Sequence, residues 1–137
     1  MSGSIVPTPA YADVRKAVDF LVEAFGFERH AVYEDEAGNL AHVELVLGSS
    51  MVMPAVPGQG EYGQMLSPVG GAGKPTGGLY VIVDDPYAHA EQARQAGAEV
   101  VIEPRDRHYG GADYTCRDLE GHLWTFGSYD PWATTGT

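Results

Sequence analysis

The chain has 137 residues, 44% of them hydrophobic and 20% charged. That is the size of one ordinary domain, or of two very small modules sharing a core, with a globular rather than a disordered composition. Eight Lys and Arg face 19 Asp and Glu, a net charge of −11, so the basic stripe that nucleic acid requires is missing and an anionic membrane surface would repel the protein. No apolar run approaches the roughly 18 residues of a membrane span. The opening residues, MSGSIVPTPA, carry neither a positive n-region nor an apolar h-region, so no signal peptide is expected. Cys116 is the single cysteine and cannot close an intrachain disulfide. A reducing, cytoplasmic location is the matching expectation.

The first apolar stretch runs from Ile5 to Ala12 and ends at Asp13. A helical period follows, with Val14, Val18, Leu21 and Phe25 on one face, Asp13 as N-cap and Gly26 just past the end. Three strand candidates come next: Arg29–Glu34, Ala41–Leu47 and Met51–Val56. Turn signals at Glu36–Asn39 and Gly48–Ser50 separate them. Pro57–Gly78 holds eight glycines and three prolines and reads as a linker or lid loop, not as an element. Leu79–Val83 then opens a second copy of the pattern. Asp84, Asp85 and Pro86 start a helix that carries Tyr87, Ala90, Ala93 and Ala96 and stops at Gly97. The strands Glu99–Glu103, Asp113–Arg117 and His122–Ser128 follow, the last two flanking the turn Asp118–Gly121. The order is βαβββ twice, an α+β chain. The first module is expected over 1–57, the linker over 58–77, the second module over 78–132 and a tail over 133–137.

Alternation assigns the faces. Val43, Leu45 and Leu47 fall together and should lie under a helix; His42, Glu44 and Val46 should meet solvent or a cleft. Leu79, Val81 and Val83 oppose Tyr80 and Ile82. Trp124 and Phe126 are expected on the helix side, opposite Thr125. Two such half-sheets, with helices outside, can curl as one mixed sheet around a cleft.

Paired βαβββ modules resemble the vicinal oxygen chelate superfamily of glyoxalases, bleomycin-resistance proteins and dioxygenases. Three stretches carry the likeness: Tyr11–Asp13 leading through Ala17–Leu21 to Ala24–Phe27, then Tyr80–Asp85, and most specifically Tyr109–Gly127. It covers nearly the whole chain apart from the linker and the last residues. It implies a fold and a cleft, and does not by itself imply a reaction.

The resemblance also implies where a divalent metal would be held, by His, Gln or Glu on the first and last strands of each module. A Lewis acid of this kind needs N or O donors and open coordination positions. The matching positions hold Val6, Met53, Gly78 and Thr125, and a slip of one residue brings in only Ile5, Pro7, Val52, Pro54, Gly77, Leu79, Trp124 and Phe126. No cofactor and no metal are therefore expected, with a divalent metal on non-standard ligands as the alternative.

The cleft is expected to draw on His42, Glu44, Met51, Met53, Tyr62, Tyr80, Tyr109, Tyr114 and Thr125. His42 and Glu44, two apart on a strand, suit a general base with its orienting partner, ligand hydrogen bonds, a charge for a cationic ligand, or simply a solvated face. Methionines and tyrosines suit a flat heteroaromatic ligand or ordinary packing. Trp132 belongs to the same aromatic set. Arg107 could clamp an anionic group, while Arg117 is expected to pair with neighbouring carboxylates. His89 is expected to face solvent from its helix, and Cys116 to be buried and inert. No catalytic residue stands out.

The residues point first to metal-independent binding or sequestration of a small, cationic or aromatic molecule, with neither nucleic acid nor membrane as partner; the resemblance to the bleomycin-resistance type implies an antibiotic-like ligand and a homodimer. The alternatives are a glyoxalase-type lyase, isomerase or dioxygenase with unusual ligands, and a vestigial cleft serving protein association.

Overall fold

The structure, a computed structural model, describes residues 3–133. Contacts divide the chain into two units, Met1–Lys74 and Pro75–Thr137. Most of the expected tail, residues 134–137, lies outside the described residues.

The first unit opens with an extended segment leading to α1 (Val14–Phe25). Asp13 caps α1, its carboxylate accepting from the Lys16 N–H at 3.1 Å. Gly26 ends it in the left-handed region, φ +84°, where a side chain would be strained. Strands β1 (Glu28–Glu34), β2 (Leu40–Leu47) and β3 (Ser50–Val52) form an antiparallel sheet in the order β1-β2-β3. The extended segment adds a parallel edge to that sheet. Ala10 bridges Ala55, and Met53 and Ala55 donate to the carbonyls of Pro7 and Pro9 at 2.9 and 2.8 Å. Val18, Leu21 and Phe25 of α1 are buried, as are Val43, Leu45 and Val52 of the sheet. Burying an aliphatic or aromatic side chain contributes about 1.5–3 kcal/mol, so this layer stabilises the unit.

The second unit repeats the plan. β4 (Gly78–Ile82), α4 (Pro86–Gln95), β5 (Glu99–Asp106), β6 (Ala112–Arg117) and β7 (Leu123–Gly127) build a sheet in the order β4-β7-β6-β5, with β4 and β7 parallel. The cap of α4 is Asp85, which accepts from Ala88 N–H at 3.1 Å, with Pro86 in the first turn. Asp85, not Asp84, is thus the counterpart of Asp13. The core is a row of rings: Trp124 stacks on Phe126 (6.1 Å between centroids), and Phe126 on Tyr114 (5.5 Å) and on His89 of α4 (4.1 Å). Trp124 and Phe126 lie on the helix side, as alternation predicts. Asp118 closes the β6–β7 turn from inside, accepting from Glu120 N–H, His122 N–H and Trp124 Nε1–H at 2.9–3.1 Å.

Two expectations are corrected here. The segment Pro57–Gly78 is not without elements; it contains the single-turn helices α2 (Gly60–Gly63) and α3 (Val69–Ala72). His89 does not face solvent. It is half-buried, stacked on Phe126, with Nδ1 hydrogen-bonded to the Tyr114 hydroxyl. Its spacing from Pro86 and Ala93, both buried, puts it on the inner stripe of α4.

Candidate functional site

Each unit presents one sheet face to its helix and leaves the other open. On the open face of the first unit, His42 and Glu44 project from β2, and Met51 and Met53 from the strand beside it. The pair expected from sequence forms: Glu44 Oε2 lies 2.7 Å from His42 Nε2, and its other oxygen lies 3.8 Å from His30 Nε2. Tyr33, opposite His42 in register, stacks on the imidazole at 6.1 Å. His42 is therefore held by a ring on one side and a carboxylate on the other.

A cleft of about 420 Å³ opens beside this pair, within the range of small-molecule sites, roughly 300–1,000 Å³. Its floor is Leu40–Val43 and Met53–Val56, and Thr8, Gln59, Gly60, Tyr62 and Gly63 close its sides. The glycine-rich segment thus supplies a wall. Gly63 makes that possible: a Cβ there would lie 2.5 Å from the Val56 carbonyl oxygen. Its own carbonyl accepts from Gly58 N–H at 2.7 Å. The turn carries Tyr62 to the cleft, where its hydroxyl shares a 2.7 Å hydrogen bond with that of Thr8. His42, Met53 and Tyr62 thus meet in one cavity of the first unit; Met51 and Glu44 lie outside its lining, Glu44 acting through His42. Sequence reasoning does not single out Thr8. A signal for it exists, since it sits two residues from Val6 on the same edge segment.

On the open face of the second unit stand Tyr80, Thr125, Thr115 and Asp113, joined by Tyr109. Asp113 is only 5% exposed. Its carboxylate accepts from Arg107 Nε–H at 2.9 Å and from the Tyr109 hydroxyl at 3.3 Å. Arg107 is thereby committed to an internal carboxylate. Tyr80 donates to the Tyr129 carbonyl at 2.8 Å. Burial first, and then the nearby Asp113 and Tyr109, push its phenol above the usual value. Arg117 pairs with Glu99 at 3.5 Å, a neighbouring carboxylate.

Tyr114 is a correction. Its register partner is Phe126, so it points to the helix side, fully buried against His89 and Phe126. Burial drives its phenol pKa sharply upward. Cys116 is likewise buried, and burial pushes its thiol up to about 12, so little thiolate forms near neutrality. Trp132 is largely exposed.

The metal-ligand positions implied by the resemblance do not fit a divalent cation. Met53 offers a soft thioether. The Thr125 hydroxyl is engaged by that of Thr115 at 2.7 Å. A Cβ at Gly78 would come 3.2 Å from the Leu123 carbonyl oxygen, so even the first atom of a ligating side chain would be crowded. Among the described residues, no group of three or more His, Cys, Asp or Glu is arranged to hold an ion. Nor is any helix among them long and apolar enough to cross a membrane.

Comparison with known proteins agrees with this architecture. The profile of the Glyoxalase/Bleomycin resistance protein/Dioxygenase superfamily matches residues 9–126. Among solved structures, TioX from Micromonospora sp. ML1 is 32% identical, with a TM-score of 0.71 over 92% of this chain and 98% of that one. UcmS2 is 21% identical, with a TM-score of 0.70 over 92% and 98%. At 15% identity, the fosfomycin resistance protein FosX from Listeria monocytogenes, solved as a mutant with Mn(II) and a dihydroxypropylphosphonic acid, matches with a TM-score of 0.68 over 96% and 93%. No curated protein gives a significant sequence match. The chain belongs to the Glyoxalase/Bleomycin resistance protein/Dioxygenase superfamily.

Proposed function

We propose that the protein binds a small molecule without a metal, holding or sequestering it rather than transforming it. The observation that carries this reading is the pairing of a formed cleft with an unsuitable donor set. His42, Met53, Tyr62 and Thr8 line a cavity of ligand size, while the positions that the resemblance matches to the cation ligands of the superfamily's enzymes hold Val6, Met53, Gly78 and Thr125. Thioether, phenol and imidazole suit a flat, polarisable ligand, and the excess of carboxylates favours a cationic one. Such a ligand is antibiotic-like in chemistry, and a homodimer in the cytoplasm is the setting we propose for it.

The test has two arms. Chelator-treated protein is titrated by calorimetry with Ni²⁺, Zn²⁺, Mn²⁺ and Fe²⁺, and then with copper-free bleomycin and with proflavine, a planar cation. Saturable binding of an organic probe to metal-free protein is expected. Tight stoichiometric uptake of one ion would overturn the reading, and so would failure of both organic probes to bind.

A further inference from the structure

An ionised carboxylate can only accept a hydrogen bond. Glu44 Oε2 lies 2.7 Å from His42 Nε2, so Nε2 carries the hydrogen of that bond. In a neutral imidazole, hydrogen on one nitrogen leaves a lone pair on the other. Nδ1 of His42 is therefore an acceptor, and it has no hydrogen-bond partner among the described residues. The second oxygen of Glu44 faces His30 Nε2 at 3.8 Å, so the short bond is the one to His42. Tyr33 of β1, opposite in register, stacks on the ring. A carboxylate and a ring together fix the orientation of the imidazole.

His42 borders the cleft and Glu44 does not, so the edge engaged by the carboxylate is not the edge offered to a ligand. The His42 side chain is 42% exposed, open to a molecule entering the cleft. The rest of the lining holds no cation that would attract an anion. It carries neither Lys nor Arg, and its other polar side chains are Thr8, Gln59 and Tyr62. The hydroxyls of Thr8 and Tyr62 are turned to one another at 2.7 Å. An ether, ketone or carboxylate set against Nδ1 would place lone pair against lone pair and leave both acceptors unsatisfied.

We infer that His42 Nδ1 is the specificity contact of the cleft, and that the ligand it takes presents an N–H or O–H donor, such as an amine, a ring N–H or a phenol, and not an acceptor-only group. This deepens the binding reading above and rests on it. Glu44 is a positioning residue: it stays outside the cleft and holds the ring with Nε2 turned away from the ligand. A cationic N–H donor suits the pair best, because the carboxylate balances its charge across the imidazole.

The experiment uses the full chain labelled with ¹⁵N-histidine at pH 8. It is titrated with 2-naphthol and with 2-methoxynaphthalene, the same rings with the donor capped, alongside proflavine. The His42 signals are assigned by their loss in His42→Phe. In the free protein they should show hydrogen on Nε2 and none on Nδ1, and 2-naphthol should shift Nδ1 more than Nε2. By calorimetry the methyl ether should bind about tenfold more weakly than 2-naphthol. His42→Phe keeps a ring against Tyr33 and removes the acceptor, so the two naphthalenes should then bind alike. Glu44→Ala frees the imidazole and should narrow the preference, while Glu44→Gln keeps an acceptor oxygen and should retain it. The spectrum of the unaltered protein reads the tautomer whether or not a variant folds. Hydrogen on Nδ1 in the free protein, equal affinity for the two naphthalenes, or a preference that survives His42→Phe or Glu44→Ala overturns the inference, and proflavine binding then leaves the binding reading standing. If neither 2-naphthol nor proflavine binds, the two fall together.

Discussion

Asp118→Ala is the sharpest test of how the second unit is held together. The carboxylate is 5% exposed, and both its oxygens are used. Oδ1 accepts from Glu120 N–H and His122 N–H at 3.0 and 3.1 Å, and Oδ2 from Trp124 Nε1–H at 2.9 Å. Alanine strands the indole N–H in the core, which costs about 1–3 kcal/mol. The two turn N–H groups lie in half-buried residues and can be rehydrated, so losing their charged acceptor adds only about 1 kcal/mol. The expected loss is about 3 kcal/mol, or on the order of 10 °C in Tm for a chain of this size. Asp118→Asn keeps one acceptor oxygen and sets an NH₂ against either the indole or the turn, so about half the loss is expected. Urea denaturation followed by far-UV circular dichroism measures both. Adding Trp124→Phe to Asp118→Ala removes the stranded donor, and the pair should then fall short of additivity by about 1 kcal/mol or more. Asp118→Ala within about 0.5 kcal/mol of wild type, or strict additivity in the double variant, would refute the account.

Other consequences are open to equally direct measurement. Burial raises the Cys116 thiol from 9.0 to about 12. The unfolded chain therefore releases this proton first, and stability, level below pH 9, should fall between pH 9 and 12. The buried Tyr114 phenol acts in the same direction at higher pH. Cys116→Ala should flatten that slope in alkaline urea melts, and native protein at pH 8 should resist iodoacetamide until unfolded. Glu44, 26% exposed at its side chain and bonded to His42, should contribute about 1 kcal/mol to holding a cation. Glu44→Gln should therefore weaken proflavine roughly fivefold by calorimetry while leaving an uncharged planar probe, 2-naphthol, nearly unchanged; equal losses for both probes would argue for a purely structural role. Gly63→Ala forces its Cβ onto the Val56 carbonyl. It should destabilise the turn by about 1–3 kcal/mol and reduce binding of both probes; unaltered melting would show that the turn gives way.

Much of this protein is legible in its sequence because the relevant signals are local. Asp13 before an apolar helical period, Pro86 after an aspartate, and glycine at 26 and 97 mark helix ends by their own chemistry. The alternation in Ala41–Leu47 assigns Val43 and Leu45 to the core and His42 and Glu44 to the open face. The doubled βαβββ order and its family likeness follow from such signals taken together. What escaped was everything that depends on register between distant strands. Tyr114 alternates as well with one face as with the other until its pairing with Phe126 is known. His89 looks solvated among alanines until the ring row beneath α4 is assembled. Pro57–Gly78 reads as a linker by composition, yet the approach of Gly63 to Val56 makes it a wall of the cleft. Thr8 and Tyr80 look unrelated in the chain, and only the parallel pairings show that they stand at equivalent positions of the two units. A side chain's secondary structure is set within one turn or one strand, where its neighbours in sequence are its neighbours in space. Which cavity it borders is set by strands brought together across tens of residues, and only the tertiary structure decides that.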